Sequence, residues 1–310
     1  DSNLSIAQFK LGNIYLENKF LPKNINKAFF YLSLAAKQKN SNALNYLGLI
    51  YYEGKYISQD IKKAIYFFEL SANLNNPEAQ YYLGLIYYKN EIIASDINKS
   101  IHYLCLSANQ NHRGSQFFLG YIFFEGRRIK RNIYKSIHYF TLAANNNLAE
   151  AQYFLGIIYF IGDFIEKNLQ KTIYYLTLAA KQNHSKSQYL LGSIYVKGEI
   201  VTRDIDKAIY YFSLSAQQNN TKSQVDLAFL YYKGEYVQRD INKAIYYYLL
   251  ASNSDNFEAQ NALGKIYYEG QYVPRDIKKS IHYYMLAANK NFPKAQLTLG
   301  SIYFEGKYVQ

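Results

Sequence analysis

Leucine and glycine recur together along this chain with a fixed period of 36 residues. The glycine follows the leucine directly, and an aromatic residue comes three positions later. A period in this range is typical of repeat proteins, whose single units cannot bury their apolar faces alone. The position is filled by Gly12, Gly48, Gly84, Gly120, Gly156, Gly192, Ala228, Gly264 and Gly300.

The apolar residues in the first half of each repeat have helical spacing. In the third repeat they are Ala79, Leu83, Ile86 and Tyr87. This spacing predicts one buried stripe on an amphipathic helix. A second glycine, such as Gly54, follows and is expected to end the helix.

The second half of each repeat predicts another helix. It begins at an Asn or Asp such as Asp60, whose side chain can accept a backbone N–H of the first turn. Its predicted buried stripe in the second repeat is Ile61, Ala64, Ile65, Phe68 and Ala72. Asn75 follows, and asparagine tolerates the left-handed conformation that ends many helices.

The glycine inside the first helix needs a packing reason, because it costs about 1 kcal/mol relative to alanine. We expect it to face small pairs of the second helix, such as Ala35-Ala36, Ala143-Ala144 and Ala179-Ala180. Small residues at a crossing let two helices approach closely. The predicted fold is all-α, an α/α superhelical solenoid of 36-residue helix-turn-helix repeats. Residues 1–310 are expected to form a single array of eight complete repeats and the first helix of a ninth.

The order of these residues resembles the Sel1-like repeat, a relative of the tetratricopeptide repeat. The first-helix motif is carried by Ala79, Leu83, Gly84 and Tyr87, and the second by Gly234, Val237, Asp240, Lys243, Ala244, Tyr247 and Ala251-Ser252. Two features depart from the family pattern: tyrosine often replaces the second glycine of its G-x-G-V motif, and asparagine mostly replaces its final glycine. The resemblance implies a non-catalytic adaptor, as in membrane-protein quality control, bacterial signalling or host–microbe contact.

Three first-helix positions lie outside the packing stripe: three and two residues before the glycine, and one after it. In similar superhelices the first helices line the concave side. These positions are strongly aromatic in repeats three to six and become small or polar afterwards. One interpretation is a groove that grips an extended or helical segment; the other is that the rings only pack against the next helix. The predicted protein-binding residues are Tyr81, Tyr82, Phe117, Phe118, Tyr121, Tyr153, Phe154 and Tyr189.

The net charge of +12 favours acidic partners or surfaces. One lysine position recurs in every complete repeat and forms a predicted basic edge, which would dock an acidic protein or an anionic surface. A solvated charged face is the ordinary alternative. Nucleic acid is disfavoured, because the aromatic residues fill framework positions and the basic edge is predicted on the other side. The predicted basic edge is Lys63, Lys99, Lys135, Lys171, Lys207 and Lys243.

Motifs that carry chemistry are missing from the sequence. It contains no phosphate-binding glycine loop, H-E-x-x-H pair or G-x-S-x-G elbow. The five histidines fall in repeat positions without ligand spacing, and the single Cys105 excludes an intrachain disulfide. We therefore expect no catalysis, no metal and no cofactor. The longest apolar stretch, 153–161, is too short to span a bilayer.

The ninth repeat consists of a first helix only, so Ile302 and Tyr303 are expected to lack a second-helix partner. A solenoid that stops in this way exposes an apolar face, whereas terminal repeats are normally polar. Either the natural chain continues or this end docks onto something. Self-assembly end to end into a rod or filament is therefore the alternative function.

Overall fold

The computed structural model describes residues 2–17, 24–89, 95–199 and 201–305, which form 17 α-helices and no strand. The first helices of the repeats are α1 (Ser2–Glu17), α3 (Ser41–Glu53), α5 (Pro77–Lys89), α7 (Arg113–Glu125), α9 (Ala149–Ile161), α11 (Ser185–Lys197), α13 (Thr221–Lys233), α15 (Phe257–Glu269) and α17 (Pro293–Phe304). The second helices are α2 (Ile25–Lys37), α4 (Ile61–Ala72), α6 (Ile97–Asn109), α8 (Ile133–Asn145), α10 (Leu169–Lys181), α12 (Ile205–Gln217), α14 (Ile241–Asn253) and α16 (Ile277–Asn289).

The chain divides into two compact units, which are described separately. Unit 1 is Asp1–Ala151 and unit 2 is Gln152–Gln310. Within each unit, a first helix packs against the second helix of its own repeat, and that second helix packs against the next first helix. This arrangement confirms the predicted fold class, an all-α solenoid of helix-turn-helix repeats.

Local capping chemistry sets the helix ends, as the sequence predicts. The Asp60 carboxylate accepts the Lys63 backbone N–H at 3.0 Å at the start of α4. Gly54 ends α3 with a φ of 64°, and Asn75 follows α4 with a φ of 60°. Both residues therefore take the left-handed conformation, which glycine and asparagine adopt at the lowest cost.

The predicted buried stripes are also confirmed, with one difference. All four stripe residues of α5 are buried, and so are four of the five in α4. Ile65 is only half-buried, and it lies against the edge of the cluster that contains Phe68 and Leu83.

The packing prediction for the mid-helix glycine is wrong. The glycine faces a large residue of the second helix, and the small pairs lie about one helical turn further along. A Cβ built on Gly120 would lie 2.6 Å from Cδ1 of Phe140, and one on Gly84 would lie 2.5 Å from Cγ of Leu104. The same contact joins Gly12 to Leu32 and Gly156 to Leu176, in place of the pairs Ala35-Ala36, Ala143-Ala144 and Ala179-Ala180.

The small residue at the helix crossing lies one turn before the large one. In α6 this is Ser100, whose hydroxyl donates to the Gly84 carbonyl at 2.7 Å. In α8 it is Ser136, which donates to the Gly120 carbonyl at 2.9 Å. Glycine on one helix and serine or alanine on the other thus allow the two helices to approach closely. The large side chain fills the remaining space between them.

The two apolar residues near the end of the last described helix behave differently. Ile302 is buried beside Leu299 and Tyr284 of the last core cluster, whereas Tyr303 is 46% exposed. End-to-end self-association through this helix stays a prediction.

Replacing Gly120 with alanine tests the glycine contact. We expect Gly120→Ala to lower the free energy of unfolding by about 1–2 kcal/mol, because overpacking against Phe140 outweighs the gain in helix propensity. The cost is modest because one repeat already accommodates Ala228 in this position, in the same core cluster as Tyr248. The measurement is urea unfolding followed by circular dichroism.

Gly300 provides the matched control for this substitution. It holds the same repeat position, but no described atom comes within 4 Å of a Cβ built on it. Gly300→Ala should be neutral or raise stability by up to about 1 kcal/mol. Equal effects of the two substitutions would contradict the packing explanation.

Candidate functional site

Two predicted binding residues of unit 1 lie on α5, and both are half-buried. Tyr82 stacks on Phe68 with centroids 5.3 Å apart and an interplanar angle of 7°. Tyr81 packs against His112 at 4.8 Å, and burial raises the pKa of its phenol. These rings contribute to packing and also keep part of their surface in solvent.

The remaining predicted residues of unit 1 lie on α7. Phe117 packs against Phe140 at 5.6 Å, and Phe118 packs edge-on against Tyr88 at 5.0 Å. Tyr121 stacks on Phe118 at 6.3 Å. Each of these three rings therefore makes at least one contact with another aromatic ring.

The predicted residues of unit 2 lie on α9 and α11. Tyr153 packs against Phe154 at 5.7 Å and against His184 at 4.9 Å. Tyr189 contacts Phe212 at 5.9 Å. All three predicted rings are half-buried, so each combines a packing contact with an exposed surface.

Tyr189 is a shared lining residue of three cavities among the described residues of unit 2. The first has a volume of about 380 Å³ and lies against α11, α12 and α13. The second, of about 250 Å³, is also lined by Phe160 and Leu190. The third, of about 630 Å³, runs from Tyr153 along the start of α13. Tyr189 therefore lines three concave features of this unit.

The 380 Å³ cavity opens where an aspartate replaces an aromatic residue of several other repeats. In unit 1, Tyr82 covers the ring of Phe68. The equivalent position beside Phe212 in unit 2 holds Asp226, and both residues line the cavity. Ser193 also lines it, one residue after the glycine, where the fourth repeat has a tyrosine.

Asp226 is a partly desolvated carboxylate at this cavity. Burial raises the pKa of Asp226 to about 6, and the nearby Glu258 carboxylate adds to the rise. A hydrogen bond with the Tyr189 hydroxyl and the charge of Lys222 lower it in part. Within the described ranges, no lysine or arginine lies at ion-pair distance from Asp226.

The sequence interpretation missed the residues that form this cavity. It placed the binding surface where the variable positions are aromatic, in repeats three to six. Asp226 and Ser193 carry the signal that could have found it. Asp226 stands where four earlier repeats have a ring, and Ser193 is smaller than most residues in its repeat position, so both leave space beside the second helix.

Each lysine of the predicted basic edge lies over an aromatic ring of its own repeat. The six ammonium groups are 4.8–5.3 Å from these ring centroids. Lys63, Lys207 and Lys243 also form ion pairs, at 2.9–3.4 Å, with the aspartates that cap their helices. These contacts give the lysines a role inside the repeat, and docking through the basic edge stays a prediction.

Two of the histidines cap helices. Nδ1 of His112 accepts the Ser115 backbone N–H at 3.1 Å, and His184 makes the same contact with Ser187 at 3.3 Å. No group of three potential metal ligands occurs among the residues that the structure describes. None of the helices in those ranges has the length and apolar character needed to cross a bilayer.

The repeats and their variable first-helix surface define a helical solenoid of the tetratricopeptide-like class. The chain belongs to the Sel1 repeat family, whose members are generally non-catalytic scaffolds for protein interaction. The Sel1 repeat model matches residues 5–40, 41–76, 77–112, 114–148, 149–184, 185–220, 221–256 and 257–292.

Two solved structures illustrate the similarity. One is a protective antigen of uropathogenic Escherichia coli that displays an SLR fold, with 27% identity and a TM-score of 0.87 over 97% of this chain. The chain spans 65% of the length of that antigen. The other is a Sel1 repeat protein from Oxalobacter formigenes, with 25% identity, a TM-score of 0.75, and coverage of 96% of this chain and 86% of that one. No curated protein matches the sequence significantly.

Substituting Asp226 tests the electrostatics of the cavity. Folding raises the pKa of Asp226 to about 6, so the folded state holds this proton more tightly than the unfolded state does. The free energy of unfolding is therefore highest below about pH 4 and falls as pH rises through 6. A shift of roughly two pH units corresponds to at most about 3 kcal/mol. We expect Asp226→Asn to match the wild type near pH 4 and to be more stable by up to this amount at pH 8.

The measurement is urea unfolding of both proteins between pH 4 and pH 8. The control is Asp206→Asn, which removes an exposed carboxylate from α12. This control should show no such pH-dependent gain. A gain for Asp226→Asn that is absent or independent of pH would contradict the burial of this carboxylate.

Proposed function

We propose that this protein is a non-catalytic scaffold that binds a protein or peptide segment on the surface formed by its first helices. The cavities around Tyr189 are the observation that carries the proposal. Specific binding sites are concave and mostly apolar, with a few polar groups that fix orientation. The 380 Å³ cavity has this composition, with Phe212, Phe229 and Leu230 beside Asp226.

The exposed and half-buried rings support the same surface. Tyrosine is a frequent interface anchor, because it supplies a large contact area at a low entropic cost. Tyr153 and Tyr189 line the 630 Å³ cavity together, and Phe229 is 51% exposed at the neighbouring one. The rings of unit 1 belong to the proposal as a second contact area, on α5 and α7.

A selection from a random peptide display library on the immobilised full chain tests this function. We expect enriched peptides whose affinity, measured by fluorescence polarisation, falls at least about tenfold in Tyr189→Ala. The control Tyr210→Ala removes a ring that is 58% exposed on the second helix α12, and it should leave the affinity unchanged.

Ser193→Tyr is the second test variant, because it narrows the cavity without removing the packing ring. It should weaken the same peptides while preserving helicity and thermal stability. Failure to enrich any peptide would contradict the proposed function. Peptides that bind Ser193→Tyr and Tyr189→Ala as tightly as the wild type would refute its assignment to unit 2.

A further inference from the structure

The 380 Å³ cavity of unit 2 has the shape and chemistry of a pocket for one long side chain. Its volume lies near the lower end of the range of about 300–1,000 Å³ for ligand pockets. Its walls include Val196, Phe212 and Leu230, and Asp226 contributes a carboxylate. We propose that this cavity anchors an arginine side chain of the bound segment. This inference rests on the proposed function above and names the chemistry of the partner.

The charge around Asp226 favours a cation. A carboxylate that is partly removed from water is stabilised by a cation within a few ångströms, and no side chain of the described residues supplies one at ion-pair distance. The Glu258 carboxylate helps to raise the pKa of Asp226 and is a second negative charge near this group. The Tyr189 and Tyr248 hydroxyl groups are the neutral neighbours of this carboxylate.

Aromatic walls favour a guanidinium over an ammonium group. Guanidinium is planar, stacks on aromatic rings and binds a carboxylate through two parallel hydrogen bonds. Phe229, Tyr189 and Tyr236 provide three rings around the cavity. Arg203 of the same unit already lies over Tyr236, with its guanidinium carbon 4.7 Å from the centroid. The rim of the cavity therefore already contains one contact between a guanidinium group and an aromatic ring.

Three other charged residues line the cavity near its rim. Lys197 and Lys233 are exposed, and the Lys233 ammonium lies over the Phe229 ring at 5.6 Å. Glu235 adds a further carboxylate on the same side. Exposed lysine side chains can extend into solvent, so they oppose an entering cation only weakly.

A titration with Nα-acetyl-arginine-N-methylamide tests the pocket directly. Its neutral isostere, the citrulline analogue, is the matched ligand control. Backbone amide chemical shifts of the full chain are recorded by NMR, and the amides of residues 189, 193, 226 and 229 report on the cavity. We expect saturable shifts at these amides with a millimolar dissociation constant for the arginine compound and no saturable shift for the citrulline compound.

The protein variants isolate the carboxylate. Asp226→Asn should weaken arginine binding at least about tenfold, while Asp206→Asn on the exposed face of α12 should leave it unchanged. Affinity should also fall as pH decreases through 6, because protonated Asp226 cannot pair with the cation. Ser193→Tyr gives an independent readout, since it should block the cavity with all charges intact.

Equal binding of the arginine and citrulline compounds, or full affinity in Asp226→Asn, would overturn the inference. So would shifts that lie outside these amides. If selected peptides bind but the arginine compound does not, the pocket fails and the scaffold function stands. If the arginine compound binds here but no peptide is ever selected, the pocket stands and the scaffold function fails.

Discussion

One contact recurs through the repeats, and the rest of the structure depends on it. A large side chain of the second helix lies directly on the glycine of the first, as Phe140 does on Gly120 and Leu104 does on Gly84. A side chain at the glycine would separate the two helices. The contact therefore fixes both the helix separation and the rotation of the first helix about its axis.

That rotation determines which residues face away from the core. Once the glycine faces the second helix, the positions two and three residues before it lie on another side of the first helix. Tyr82 and Tyr189 occupy these positions, and each packs partly against a large residue that contacts a glycine. The same framework thus serves as a core on one side and as a variable surface on the other.

The sequence predicted the features that depend on local chemistry. Asp60, Gly54 and Asn75 end or begin helices through capping bonds and backbone conformations that single residues determine. The sequence failed where the answer depended on the rotation between two helices. Spacing alone cannot distinguish whether Gly120 faces Phe140 or Ala143, because both lie on the same buried face.

The cavity at Asp226 was missed for a related reason. The cavity forms where Asp226 of α13 is too small to fill the space beside Phe212 of α12. It therefore depends on two residues that lie on different helices. A single repeat position, followed along the sequence, shows only that aromatic residues are replaced by smaller ones in the later repeats. The pairing of Asp226 with Phe212 can be recognised only when the positions of both helices are known.

Hydrogen–deuterium exchange of the full chain, with and without a saturating selected peptide, tests the central claim that the first helices of unit 2 form the binding surface. We expect slower exchange in α11 and α13, and in the turn after α13 that contains Tyr236. We expect no change in α10 and α14, whose residues do not line the three cavities. Protection confined to these second helices, or to unit 1, would contradict the claim.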